Sequence, residues 1–319
     1  YAVLALDGDE MGKWVSGIKN PKIKEQLSKE SIDYFESKGG ELKNFLESRR
    51  PLSPSFHLQF SEALANFSLY CTARIVESFD GRLIYAGGDD VLAMLPASKA
   101  IACAHMLRSA FKGEKDRLNE LRGSWESHRG KMVKIEENRL FESLAEGYLR
   151  IHEHAEGTEE EPKSNHCILP GPATDVSVGI AIGHERDPLQ RIVQAAQLCE
   201  KKAKGELGRS ALFSQVVKRS GEIVEWGCKW ESGGITLLQT LLECMNEGKL
   251  TARFPYKLVE LLDPYLSVEG SSAESDSSFE QMAEEIVARE MQECMANHWN
   301  GSSHEQKDIS LLVVSSLSD

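Results

Sequence analysis

Two adjacent carboxylates, Asp89 and Asp90, follow Gly87 and Gly88 between two short apolar runs at 82–86 and 91–95. Glycine and aspartate are turn formers, so Gly87-Gly-Asp-Asp90 predicts a hairpin tip, and by itself it could be a solvated turn and no more. A third carboxylate changes the reading. Asp7 ends the apolar, β-prone run at 1–6; if that strand lies beside the hairpin, about 4.8 Å away, the three acids meet. Crowded carboxylates repel one another and resist ionisation unless a cation lies among them, and oxygen ligands with room for water favour Mg²⁺ or Mn²⁺. Two such ions roughly 3.5–4 Å apart can activate an attacking hydroxyl and stabilise a departing pyrophosphate. Gly87 and Gly88 supply the backbone angles of the turn and leave room for a triphosphate.

Asp7, Asp89 and Asp90 are therefore the candidate catalytic residues, with Asp7, Gly8, Asp89 and Asp90 as the metal positions. The candidate nucleotide positions are Gly8, Asp9, Gly87, Gly88, Ser177 and Lys204. Three of these keep alternatives open. Asp9 can hold a metal-bound water or a ribose, or cap the helix that starts near Met11. Lys204, with Arg209 behind it, ends a helix pointing back to the sheet edge, where it can meet a triphosphate or simply pair with the helix dipole. Ser177 lies in a strand facing the expected pocket, although most strand serines are structural. His57, His105 and His184 have no metal spacing, and the adjacent His-Asp pair of phosphohydrolases is absent.

The elements that must position these residues can be read in order. After the first strand, Ser53-Pro54 predicts a helix N-terminus, and Phe60, Leu64, Phe67, Cys71 and Ile75 recur at helical spacing up to Asp80-Gly81. The hairpin follows, then a helix through Ala100, Cys103, Leu107 and Phe111. Residues 113–172 are charged and patchily helical and predict an insertion, with a mobile acidic loop at "TEEEP", 158–162. A strand over 175–182, a helix from Pro188-Leu to Lys204 and a strand near 211–217 complete the unit. This order predicts an α+β fold, a ferredoxin-like palm sheet with helices on one face, over residues 1–219.

From 220 to 319 a small helical domain is expected, with "LLQTLLECM" at 237–245, "YKLVELL" at 256–262, and Phe279, Met282, Ile286 and Met291 on one helix face. A flexible loop is expected at 267–278. Met282, Met291 and Met295 could line a partner groove or pack in the core.

At 319 residues and 41% hydrophobic, the chain is long enough for two cores. Net charge is −13, but residues 263–319 hold 12 acidic and 2 basic side chains, so the remainder is nearly balanced. That balance gives no global field for phosphate backbones, and any nucleic-acid contact must be local or come through a partner. Seven scattered cysteines without C-x-x-C spacing suggest neither a zinc knuckle nor a disulfide framework, and most read as small buried hydrophobes. No apolar run approaches the ~18 residues of a membrane helix, so a cytoplasmic protein without membrane contact is expected. The chain opens at Tyr1 directly on a strand, and an excised piece of a longer chain is expected.

Four segments, "YAVLALDGDEMGKW", "RIVESFDGRLIYAGGDDVLAMLP", "SVGIAIGHERDPLQRIVQAAQLCEKKAKGELGRSALF" and "KLTARFPYKL", together resemble the C-terminal half of the large subunit (Cas-ten, Cmr type) of type III-B CRISPR RNA-targeting effector complexes. The resemblance covers residues 1–111, 174–217 and parts of the helical region. It implies a second palm domain that converts ATP, with two Mg²⁺ or Mn²⁺ ions, into 3′-5′ oligoadenylate messengers when the complex binds target RNA. It places the family's metal positions on Asp7, Asp89 and Asp90 and its glycine turn on Gly87 and Gly88. The implied partners are the other subunits, crRNA and target RNA through the complex, and upstream HD and first palm domains of the full-length protein. Two alternatives remain. Diguanylate cyclases share the sheet and hairpin, but their Gly-Gly-Asp/Glu-Glu-Phe ending is replaced here by Asp90 and Val91. An inactive palm serving as a ribonucleoprotein scaffold is the other.

Overall fold

The computed structural model describes residues 1–115, 141–153, 163–257, 260, 289, 292–300 and 309. The chain divides into two compact units, Tyr1–Gly227 and Cys228–Asp319. The first is built on a six-stranded sheet of order β2-β3-β1-β7-β8-β9. Its strands are β1 (Ala2–Gly8), β2 (Arg82–Gly87), β3 (Asp90–Leu95), β7 (Val176–Ile182), β8 (Ala211–Val217) and β9 (Ile223–Lys229). β1 runs antiparallel to both β3 and β7, and β7 runs parallel to β8. The expected α+β palm sheet is present, with β1 at its centre.

β1 is buried along its whole apolar run, Ala2 to Leu6. Alternate residues of a strand point to opposite faces, so burial of all five requires cover on both sides. One face, with Val3, Ala5 and Ala181, packs against Ile192 and Ala196 of α7 (Leu189–Gly205). The opposite face carries Leu4, Val91, Val178 and Ile180, all buried; α5 (Thr72–Ser78) and α6 (Ala100–Lys112) pack on the sheet and close it. Helices thus cover two faces, not the single face expected, because the central strands are apolar at both parities.

Between β1 and α5 the chain forms α1 (Met11–Val15), α2 (Lys29–Lys38), α3 (Glu41–Glu47) and α4 (Pro54–Asn66). The N-terminus of α4 follows the expectation: Ser53 Oγ accepts from Phe56 N, and Pro54 takes the first turn. The helix does not run evenly to Asp80. A π-helical turn at Phe67–Cys71 separates α4 from α5, turning Phe67 and Cys71 fully inward; Phe67 meets Phe111 edge to face with centroids 5.0 Å apart.

The charged insertion is a sheet where it is described. β4 (Phe141–Ala145), β5 (Tyr148–Glu153) and β6 (Lys163–Ile168) pair antiparallel in that order. Phe141, Leu149, Ile151 and Cys167 are buried, a period-two pattern that corrects the helical reading of this segment. The "TEEEP" loop lies outside the described residues.

The division between units falls after Gly227, within β9. In the second unit α8 (Gly234–Asn246) contains the "LLQTLLECM" stretch, and Cys244, Leu250, Phe254 and Met295 form a core. Met295 is therefore a packing residue. Phe279, Met282, Ile286, Met291 and the 267–278 segment lie outside the described residues. Among the described residues no helix is long and apolar enough to cross a membrane.

Candidate functional site

The site forms where β1 ends. Strand register sets Asp7 opposite Ser177 on β7, and on the other side Leu6 opposes Val91, which brings Asp90 into the next row beside Asp7. Gly87 pairs with Asp90, so the two-residue turn is Gly88-Asp89. Gly88 has φ +66°, a conformation an L side chain adopts only with strain. Gly87 has an ordinary φ, and a Cβ there would meet only the phenol end of the exposed Tyr85, which can swing aside. The expectation that both glycines supply unusual angles is thus corrected for Gly87.

Gly8 has a clear role. A Cβ on it would lie 2.8 Å from Asp89 Cβ and 3.0 Å from Asp89 Oδ2, so only glycine at the end of β1 lets the hairpin carboxylate close down. Asp7, Gly8, Asp89 and Asp90 are brought to one sheet edge, as the sequence predicts. Burial pushes the Asp89 carboxyl above its usual range, and Asp90 adds to the shift; burial raises Asp90 likewise.

Helix α7 brings two more charges. Lys204 contacts the Asp7 carboxylate and lies 2.8 Å from Glu200 Oε1 one turn back. Burial, with the Arg209 guanidinium nearby, pulls the Lys204 amine down to about 8. Glu200 was not singled out from the sequence, where it sits within "CEKKAK" and looks like part of a solvated face. Burial raises its pKa, followed by the charge of Asp90, and Asp9 contributes too. The signal that could have found it is Gly179: a Cβ there would lie 2.2 Å from Glu200 N and from Ala196 O, so α7 rests directly on β7.

Asp9 and Ser177 bond to each other, which matches the structural reading left open for Ser177. The Asp9 carboxylate is buried; Ser177 Oγ donates to Oδ1 at 2.7 Å and Ser210 N to Oδ2 at 2.8 Å. Asp9 does not cap α1, whose cap position is Glu10 and makes no side-chain capping bond. Ser177 is fully buried and its hydroxyl is taken up by Asp9. Burial still raises the Asp9 pKa against these two bonds. Beside it, Asp175 receives Arg108 Nε at 2.7 Å and Nη2 at 2.7 Å, Ser210 Oγ at 2.6 Å and Val176 N at 2.9 Å. Burial alone would raise Asp175, but the Arg108 and Ser210 bonds hold it below the usual carboxylate range. Gly208, Arg209 and Ser210 all have positive φ, and this strained turn is what aims Ser210 at both acids.

The donor set suits a hard cation: Asp7, Asp89 and Asp90 offer oxygen ligands only, and Asp89 and Asp90 resist ionisation. As placed, no three described His, Cys, Asp or Glu side chains are grouped to hold a metal ion. Binding would require these carboxylates to turn toward it, Asp7 away from Lys204.

Residues 1–124 match the family described as Cas10/Cmr2, second palm domain. A curated relative, the CRISPR system Cmr subunit Cmr2 of Pyrococcus furiosus, is 30% identical over 273 residues, 84% of this chain and 24% of that protein. The Cmr2 subunit of Saccharolobus solfataricus is 39% identical over 67 residues, 21% of this chain and 6% of its own. The chain thus spans at most about a quarter of the length of these relatives. Among solved structures, a chain of the type III-B Cmr-beta complex in its apo state aligns with TM-score 0.55 and 16% identity, over 95% of this chain and 34% of that one. The same complex bound to cognate target RNA gives TM-score 0.57 and 15% identity, over 91% and 34%. These two establish likeness of fold.

Proposed function

We propose, on the premise that residues 1–124 are a second palm domain of the Cas10/Cmr2 type, that this sheet edge converts ATP into 3′-5′ oligoadenylate messengers within a type III effector complex. The observation that carries this reading is the gathering of Asp7, Asp89, Asp90 and Glu200 around one strand end, with burial raising Asp89 and Asp90 and the Asp90 charge adding to the shift of Asp89. Acids so placed call for added positive charge. Asp7, Asp89 and Asp90 would hold two Mg²⁺ or Mn²⁺ ions, which supply activation of a 3′-hydroxyl and stabilisation of leaving pyrophosphate.

The remaining work falls to the chain itself. Gly8 lets Asp89 close on the strand end, and Gly88 makes the tight turn that presents both hairpin acids. Lys204, which contacts Asp7, is the residue proposed to meet triphosphate oxygens at the same edge. The Asp9–Ser177–Ser210 bonds fix the strand end against the α7–β8 turn. A second nucleotide must present the attacking hydroxyl, and the proposed source of its pocket is another palm, the first palm of the full-length protein. The other subunits, crRNA and target RNA are proposed as partners through the complex.

The test is to supply the intact complex with labelled ATP and target RNA and resolve products by mass. Oligoadenylates that depend on target RNA support the reading. Preferential turnover of GTP among the four triphosphates would move the assignment to a diguanylate-cyclase-like enzyme, and no turnover of any would leave the palm a scaffold.

A further inference from the structure

Lys204 stands between two carboxylates of different kinds. Asp7, on β1, is partly open to solvent and belongs to the proposed metal set; Glu200, on α7, is more buried, with a side-chain exposure of 13% against 31% for Asp7. Glu200 and Lys204 are four residues apart on one helix face, so the ammonium can reach either acid by rotation of its own stem. The seat on Glu200 is incompletely used. Oε1 is 2.8 Å from the Lys204 nitrogen but is buried without a hydrogen bond, so the contact lacks a well-directed donor. The close fit of α7 on Gly179 fixes Glu200 in this position.

Resting on the metal-dependent reading above, we propose that Lys204 is a displaceable counter-cation for Asp7 and that Glu200 is its second seat. A divalent ion arriving at Asp7 must compete with the ammonium, because two cations on one carboxylate repel each other. Glu200, one helical turn back, receives the displaced ammonium and gains the directed bond it lacks. Glu200 is thus a positioning residue that acts on the metal through Lys204. Two consequences follow from the geometry. The ammonium weakens cation binding relative to the bare carboxylate set, and once displaced it stays at the same edge, available to a triphosphate.

The test is a double-mutant cycle on the full chain, read by Mn²⁺ binding alone, without nucleotide, using electron paramagnetic resonance of free Mn²⁺. Lys204→Met should tighten Mn²⁺ binding roughly three- to tenfold, the scale of a partly buried ion pair. Glu200→Gln should weaken it by a similar factor, since Lys204 then has only Asp7 to hold. In the Lys204→Met background, Glu200→Gln should change affinity by less than about twofold, because its effect passes through the lysine. An unchanged or weaker affinity in Lys204→Met overturns the proposal, as does an equal loss from Glu200→Gln in both backgrounds, which would make Glu200 a ligand or a simple through-space charge. If Mn²⁺ binds to neither the parent nor Lys204→Met, the metal-dependent reading itself fails; equal binding by both sinks only the present inference. Should Glu200→Gln fail to fold, Glu200→Met, of similar length and uncharged, completes the same cycle.

Discussion

Two groups of acids lie within a few residues of each other at one edge of the sheet, and they are treated in opposite ways. Asp175 is enclosed by Arg108, Ser210 and the Val176 amide, and Asp9 by Ser177 and the Ser210 amide. Every donor there is fixed by a strand, a helix or a strained turn. Asp7, Asp89, Asp90 and Glu200 have instead one flexible lysine shared between two of them, and burial raises Asp89, Asp90 and Glu200. The same residue type therefore serves as a rivet in one group and as an unmet electrostatic demand in the other. The difference lies first in the supply of fixed donors; access to water differs too, since Asp9 is buried whereas Asp90 is exposed and Asp7 partly open.

The largest effect should come from neutralising the open group. Asp89→Asn with Asp90→Asn is expected to lower nucleotide turnover by at least about a thousandfold, the range associated with losing a transition-state contact of several kcal/mol. The thermal midpoint should hold or rise, because the change removes two adjacent charges, that of Asp89 partly buried. Product analysis and a melting curve on the same preparation test both halves, and substantial turnover would end the comparison. The enclosed group should behave in reverse. Arg108→Met leaves Asp175 buried without its two guanidinium bonds, and breaking such a pair costs about 3–5 kcal/mol. Denaturant unfolding reads that loss, and a cost under about 1 kcal/mol would show that Asp175 is not a rivet.

Which group a given acid joins was only partly legible in the sequence. Asp7, Asp89 and Asp90 could be found because strand ends and turns are written locally, in "VLALDGDE" and "YAGGDDV". Asp9 looks equivalent to Asp7 in the sequence, and its enclosure depends on Ser177 and Ser210, which lie 168 and 201 residues away. Glu200 was hidden among lysines, and only the packing of α7 on Gly179 withdraws it from water. The insertion was misread for a related reason. Its high charge density obscured the alternation of "YLRIHE", in which Leu149 and Ile151 turn inward. β9 escaped because Ile223 and Val224 remain exposed on an edge strand, where burial leaves no pattern to read.

Acid should separate Asp175 by sign from the acids whose pKa burial raises, Asp9 among them. Asp175 has a depressed folded-state pKa, so its contribution to stability is fully present above the unfolded aspartate value of about 3.9 and is lost as pH falls through the lower folded value. The groups facing it are Arg108 and Lys112 from α6, Ser210 from the turn before β8, and Asp9 from β1. Raised groups such as Glu200 act oppositely, favouring the fold when protonated and losing that contribution as pH rises through their folded values. The stability difference between the parent and Arg108→Met should therefore be constant near neutrality and shrink below about pH 4, where Asp175 takes up its proton. A difference independent of pH down to 3 would mean that Arg108 stabilises by packing alone.

The smallest effect tests the boundary between the groups, at Ser177. Its position opposite Asp7 suggests a nucleotide contact, yet its hydroxyl donates to Asp9 at 2.7 Å and the residue is fully buried. Ser177→Ala removes one of the two donors on a buried carboxylate while leaving the volume of the strand nearly unchanged. The expected cost is about 1.5–3 kcal/mol, the range for a hydrogen bond to a charged acceptor. Because Ser210 N still holds Asp9 Oδ2, the strand end should stay in place, and the KM for ATP should move by less than about twofold, well under 1 kcal/mol. Unfolding measurements and steady-state kinetics on the same variant separate the two roles. A KM raised tenfold with unchanged stability would place Ser177 among the nucleotide contacts and move it, with Asp9, from the enclosed group to the open one.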